Sequence, residues 1–270
     1  MTDNNNCRLC GGRLSSCFHL NILRKYDVGY YQCEECHSLQ TEYPFWLGEA
    51  YKQSLSNLDT GAAQRSLRNL AACFVVSKVF KVKNAVDIGG GDGLLCRLLR
   101  DYGINCFVKD KFANPTYAQG FTEPDFDIPD LVIAFEVFEH FQNPKSDLDD
   151  LFSINSSIFL VSTFVYTNQQ NDWWYLSPES GQHVFFYSKD ALDLIGSRYG
   201  CKLIISGGFI LFVRNNVLTL PKLVLAKLLL NKYVCRIVRS LVVLLPTPGV
   251  WKDHLFQKEK SNSISSRPRS

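Results

Sequence analysis

The run Ala85-Val86-Asp87-Ile88-Gly89-Gly90-Gly91-Asp92-Gly93-Leu94-Leu95 constrains this chain more than any other stretch. A short apolar strand enters a glycine-rich turn, and an amphipathic helix over Leu94 to Tyr102 follows at once. Glycine lets the backbone turn tightly and approach a ligand where a Cβ would collide. The helix behind it offers unpaired N–H groups in its first turn. The pattern points to a nucleotide site in an α/β sheet, with an ordinary glycine-rich turn as the bland alternative. A dinucleotide fingerprint needs a third glycine three residues after the second. Counted from Gly91 that place is Leu94, and counted from Gly93 it is Cys96, so neither register fits. A triphosphate loop needs Gly-Lys-Ser/Thr, which does not follow here. A second strand, Asn105 to Lys109, ends at Asp110, where open α/β sheets place an acid on ribose hydroxyls.

With 270 residues, 46% of them apolar, the chain is long enough for one full α/β domain with smaller additions. The polar start Met1-Thr2-Asp3-Asn4-Asn5-Asn6 carries no apolar signal region, and no run approaches eighteen uncharged apolar residues. A cytoplasmic location is therefore expected, and in that compartment ten cysteines are not read as disulfides. Four of them form two Cys-x-x-Cys knuckles, Cys7/Cys10 and Cys33/Cys36, 22 residues apart. Four thiolates so paired close a tetrahedral Zn²⁺ site with no open position, hence a structural one. A redox pair or chance spacing is the alternative. The other six cysteines lack such partners and are expected as buried small apolar residues.

Further along, Tyr43-Pro44-Phe45-Trp46-Leu47 makes an aromatic linker, and Gly61 to Phe80 has a helical pattern. Asn114 to Asp127 has no clean period. Buried strands are expected at Asp130–Phe135 and Ile158–Ser162, and a helix over Ser188 to Tyr199 with Ser188 as its N-cap. Lys202–Ser206, Gly207-Gly208 and Phe209–Val213 read as a two-residue β-hairpin. Such a hairpin lays an antiparallel strand on an otherwise parallel sheet. The expected organisation is a zinc module over 1–46, a Rossmann-like α/β domain over 47–214, and a basic amphipathic helix with a flexible tail over 215–270.

The Asp-x-Gly-x-Gly-x-Gly pattern of Asp87, Gly89, Gly91 and Gly93 resembles motif I of the class I S-adenosylmethionine-dependent methyltransferases, whose sheets also end in such a hairpin. The order of knuckles, motif I, Glu136-Val137-Phe138-Glu139-His140 and Gly181-Gln182-His183-Val184-Phe185-Phe186-Tyr187-Ser188 is similar to zinc-containing methyltransferases related to the sugar C-methyltransferases. The resemblance covers roughly residues 7 to 214. It implies S-adenosylmethionine as cofactor, held by Asp87, Gly89, Gly91, Asp110 and Glu136, and a sugar, glycan or lipid-linked glycan as substrate. Gln182 stands where those enzymes carry Glu, and their further substrate domain has no counterpart after the hairpin. A methyltransferase-fold scaffold without turnover, or an O-methyltransferase of another small molecule, is the alternative. A nucleic-acid substrate is not expected, because the basic residues lack interleaved aromatics.

Methyl transfer needs the acceptor aligned with the methyl group and its proton removed. Of five histidines, His19 and His37 lie in the zinc module and His254 in the tail. That leaves His183 as candidate general base, beside Trp173, Trp174, Tyr175 and Tyr187 as rings for sugar stacking. His140 is second, as base or orienting residue. Residues 194–251 contain no Asp or Glu. Taken as one helix, Pro221 to Leu244 places Lys222, Lys232, Arg236 and Arg239 on one face, as for peripheral contact with an anionic membrane. Packing on the protein's own sheet or on a second subunit fits the same pattern.

Overall fold

The computed structural model describes residues 6–52 and 60–265. Its larger sheet runs in the order β5-β4-β6-β7-β10-β9, from β4 (Asn84–Ile88), β5 (Asn105–Lys109), β6 (Leu131–Phe135), β7 (Ile158–Ser162), β9 (Cys201–Ser206) and β10 (Phe209–Arg214). The first four are mutually parallel, and β10 is antiparallel to both β7 and β9. Gly207 and Gly208 join β9 to β10 with φ of 60° and 79°, the left-handed pair that a tight hairpin requires. The four parallel strands are apolar almost throughout because both faces are covered. Leu131, Ile133 and Phe135 face one core, whereas Val132 and Ala134 face the other.

The first core is closed by α2 (Ala62–Phe80), α3 (Leu94–Asp101), α6 (Leu220–Leu229) and α7 (Lys232–Val242). On the opposite face lie α4 (Pro144–Ser153) and α5 (Lys189–Arg198). The Ser188 hydroxyl accepts from Ala191 N and caps α5, as its position suggests. The short helix α1 (Leu47–Ala50) belongs to the aromatic linker, and α8 (Pro248–Ser265) packs on α3.

A second, antiparallel sheet forms from β1 (Leu14–Ile22), β2 (Tyr26–Cys33), β3 (Leu39–Thr41) and β8 (Phe185–Phe186). The fourth strand of the cysteine module thus comes from the part of the chain that builds the larger sheet. Leu39 pairs with Phe186 and Gln40 with Phe185, so the two halves share a sheet and not merely a linker.

Two expectations for the C-terminal region are corrected. Pro221 to Leu244 is not one helix: the chain breaks at Asn231, whose side chain accepts from Tyr233 N and starts α7. A straight helix of that length runs about 36 Å and would overshoot α2, on which both α6 and α7 pack. The four cations therefore do not share one helical face. The stretch after Lys258, expected as a flexible tail, continues α8 as far as Ser265, and its last residues, 266–270, lie outside the described ones.

Candidate active site and cysteine centre

The glycine turn leaves β4 at the carboxyl edge of the sheet. Gly89, Gly91 and Gly93 all have positive φ, at 69°, 54° and 78°. Their reasons differ. A Cβ on Gly89 would stand 2.7 Å from Val137 Cγ2, and one on Gly93 would stand 2.7 Å from Ala118 Cβ. On Gly91 it would meet nothing within 4 Å. Two of the glycines are thus demanded by packing, whereas Gly91 borders open space. Its N–H donates to Asp110 Oδ2 at 2.9 Å, and Asp110 Oδ1 accepts from Phe112 N and Ala113 N at 2.7 and 2.8 Å. The backbone thereby fixes the Asp110 carboxylate beside the turn. Asp87 is buried with Oδ2 unpartnered, and burial followed by the charge of Asp110 pushes its carboxyl up to about 7. An open glycine edge beside an anchored acid is the arrangement by which open α/β sheets hold a ribose.

Beyond β6 the chain enters Glu136 with a φ of 53°, an uncommon left-handed conformation for this residue type. Ser162 Oγ donates to Glu136 Oε1 at 2.7 Å, and burial, then Glu139, push the Glu136 carboxyl up to about 7. Glu139 is fully buried in the single turn Phe138–His140. Its Oε1 accepts from the Tyr175 hydroxyl at 2.6 Å, and its Oε2 has no partner. Burial raises it to about 7 despite the Tyr175 bond.

The two candidate histidines come together. Their rings stand 4.9 Å apart, edge to face at 84°. His140 Nδ1 lies 3.1 Å from the Gln182 carbonyl, and His183 Nδ1 lies 2.7 Å from the Tyr175 carbonyl. A carbonyl only accepts, so the proton of neutral His183 sits on Nδ1, whereas His140 Nδ1 is shared between the Gln182 carbonyl and the Tyr51 hydroxyl. Burial holds both rings neutral, taking His140 down to about 3 and lowering His183. Gln182 has a structural part here, because its side chain donates to Ala50 O at 2.9 Å while its carbonyl orients His140.

The stacking platform is smaller than the sequence suggests. Tyr175 and Tyr187 are buried, and the Tyr187 ring packs on Phe138 and Phe185 within the core. Trp174 is 68% exposed and meets the exposed Phe164 edge to face at 5.0 Å. Two participants carry no local sequence signal. Tyr51 stacks flat on Phe112 at 4.5 Å, with its hydroxyl 3.1 Å from His140 Nδ1, so the linker lies between Asp110 and the histidines. Arg8, inside the first knuckle, donates to Val184 O at 2.6 Å and Gln142 O at 3.3 Å, tying that knuckle to the residues flanking both histidines.

Cys7, Cys10, Cys33 and Cys36 converge as expected, with Sγ–Sγ distances of 3.7 Å for Cys7–Cys36 and 3.5 Å for Cys10–Cys33. Zinc–sulfur bonds of about 2.3 Å give a tetrahedral edge of about 3.8 Å. Gly12 N donates to Cys10 Sγ, and Glu35 N and Cys36 N donate to Cys33 Sγ, each at 3.4 Å. Such donors favour thiolates. Without a cation, burial pushes Cys10 up to about 12, and the Cys7 contact with burial raises Cys36. The donor set fits Zn²⁺.

Residues 59–205 match the methyltransferase-domain family. No curated protein matches the sequence. Among solved structures, the chain is similar to the magnesium protoporphyrin IX methyltransferase of Synechocystis PCC 6803 with bound SAH, at 15% identity and a TM-score of 0.43, covering 63% of this chain and 92% of that one. It is similar to the plantazolicin methyltransferase BpumL in complex with SAH, at 12% identity and a TM-score of 0.40, covering 62% and 94%. It is also similar to human N-acetylserotonin methyltransferase in complex with SAM, at 13% identity and a TM-score of 0.38, covering 63% and 65%. The family match spans more than half of the chain, on the segment that carries the glycine turn and both histidines, and the chain therefore belongs to the methyltransferase-domain family.

Proposed function

We propose that this methyltransferase acts on a sugar, glycan or lipid-linked glycan. The observation that carries this reading is the placement of the exposed Trp174 and Phe164 beside a buried cluster of Glu139, His140 and His183. Sugar faces stack on exposed aromatic rings, and a sugar hydroxyl is too weak a nucleophile until its proton leaves. The methyl–sulfur bond breaks as the acceptor bond forms, and the acceptor proton is drawn off at the cluster. Asp87, Gly91 and Asp110 hold the cofactor, with Glu136 at the next loop. The four-cysteine zinc stays structural, since such a site keeps no open position. Its place is mechanical: β8 and Arg8 connect it to the His183 loop.

The test is release of S-adenosylhomocysteine with a panel of sugar nucleotides and lipid-linked sugars. His183→Ala is expected to lower turnover by roughly 10² to 10⁴ with cofactor affinity nearly unchanged. Near-wild-type turnover removes the cluster from the chemistry. Cofactor binding without release for any acceptor favours a scaffold.

A membrane-bound acceptor is supported by the C-terminal helices. Leu220, Leu228, Tyr233, Ile237 and Leu241 are exposed on α6 and α7, among Lys227, Lys232 and Arg236. No helix among the described residues is long and apolar enough to cross a membrane. The basic, apolar surface lies on anionic lipid instead. Co-sedimentation with phosphatidylglycerol vesicles, weakened by salt and lost with neutral vesicles, is expected. Equal partitioning onto both, or none, overturns this part.

A further inference from the structure

We propose that Glu139, His140 and His183 bind a divalent transition-metal cation at the acceptor end of the site. This deepens the proposed function, resting on that reading only for what the ion does in catalysis. One ligand atom from each of the three lies within 4.8 Å of the other two. At that widest spacing an ion at their centre stands about 2.8 Å from each, so a closure of about 0.7 Å per ligand reaches ordinary bond lengths.

Three further observations point to a cation. First, each imidazole sets Nδ1 against a backbone carbonyl, His140 at 3.1 Å from Gln182 O and His183 at 2.7 Å from Tyr175 O, where a ring proton is held. That is the support metal-binding histidines use, and it leaves Nε2 as the ligating nitrogen in each ring. Second, Glu139 is fully buried with Oε2 unpartnered, a costly arrangement for a carboxyl unless a positive charge meets it. Third, Glu136 enters the same loop in a left-handed conformation, with its Oε1 held by Ser162 Oγ at 2.7 Å. Backbone strain of this kind gathers at ligand clamps.

Two imidazoles and one carboxylate select Mn²⁺, Fe²⁺, Co²⁺ or Zn²⁺ over Mg²⁺ and leave positions open for an acceptor oxygen. A sugar hydroxyl on the ion loses its proton to water more readily. Its oxygen then forms the bond to the methyl carbon, and the electron pair of the broken carbon–sulfur bond stays on sulfur as S-adenosylhomocysteine. His183 acts here as a ligand, and a bare His183 base is the competing outcome.

The test is Mn²⁺ titration of the full, zinc-loaded chain, followed by the loss of the free-ion paramagnetic resonance signal. Mn²⁺ is poorly suited to the thiolate centre, which separates the two sites. One Mn²⁺ per chain is expected, with affinity reduced at least tenfold in His183→Ala and in Glu139→Gln. The glutamine variant keeps the shape of the side chain and the Tyr175 bond, so it also answers for folding. No uptake at millimolar Mn²⁺, or uptake unchanged in both variants, overturns the proposal. Release of S-adenosylhomocysteine that depends on His183 but persists after metal depletion overturns the metal while leaving the sugar reading standing. Bound Mn²⁺ lost in both variants, with no release on any sugar, supports the metal site and sinks the sugar reading.

Discussion

Asp253→Ala is expected to loosen the segment that packs against the glycine turn. Asp253 lies on α8, buried against α3, where Arg100 donates Nε to Oδ2 at 2.7 Å and Nη2 to Oδ1 at 2.8 Å. Arg97 adds a third bond to Oδ2 at 2.7 Å. The Arg100 guanidinium also lies 3.7 Å over the Phe121 ring, and Gln257 of α8 donates to Gln119 O. Ala118, next to Gln119 in the same turn, is in turn the residue on which Gly93 of the glycine turn packs. With side-chain exposures of 9% and 7%, the Arg100–Asp253 pair counts as buried. Removing one partner from such a pair costs about 3–5 kcal/mol, against about 5–15 kcal/mol for a whole domain. Arg97, at 23% exposed, leaves the bidentate pair intact when removed, and Arg97→Ala is expected to cost about 1 kcal/mol or less. Urea unfolding followed by tryptophan fluorescence measures both. A loss below about 1 kcal/mol for Asp253→Ala refutes the reasoning. Replacing Arg100 and Asp253 together by Met and Leu is expected to recover most of the loss.

The same pair sets an acid limit. Burial alone would raise the Asp253 carboxyl, but the hydrogen bonds and charges of Arg100 and Arg97 outweigh it and hold the carboxyl below its ordinary value. Its contribution is therefore present above the unfolded value of about 3.9 and is lost as pH falls toward the folded one; a Tm that drops across that interval in wild type but not in Asp253→Asn is the expected result. Gly91→Val is expected to abolish S-adenosylmethionine binding in calorimetry, whereas Gly91→Ala still folds, losing about 1–2 kcal/mol to left-handed strain; unchanged affinity in the valine variant would remove the assignment. Cys33→Ser is expected to hold about one zinc fewer per chain than wild type by elemental analysis. Because β8 and Arg8 bind the knuckles to the histidine loop, turnover should fall with that zinc, and full turnover in the variant contradicts the coupling.

Local pattern made the strands around the glycine turn readable, since a parallel strand buried on both faces is a short apolar run and a tight turn needs glycine. The hairpin at Gly207-Gly208, the Ser188 cap and the two knuckles were legible for the same reason: each is specified by residues adjacent in sequence. His183 and His140 stood out by their chemistry, but nothing in their neighbourhoods announces that they meet 4.9 Å apart. Their meeting depends on β8, a strand of two residues and hence without a period, which joins a sheet formed far earlier in the chain. Arg100 and Asp253, 153 positions apart, are similar. The break at Asn231 arises because α6 and α7 must both lie on α2. Composition, spacing and periodicity determined the glycine turn, the four thiols and the positions of the parallel strands. The histidine pair, the buried carboxyl of Glu139 and the link from the four thiols to the histidine loop were decided only in three dimensions, because long-range pairing is selected by which buried polar groups find partners and not by any local preference.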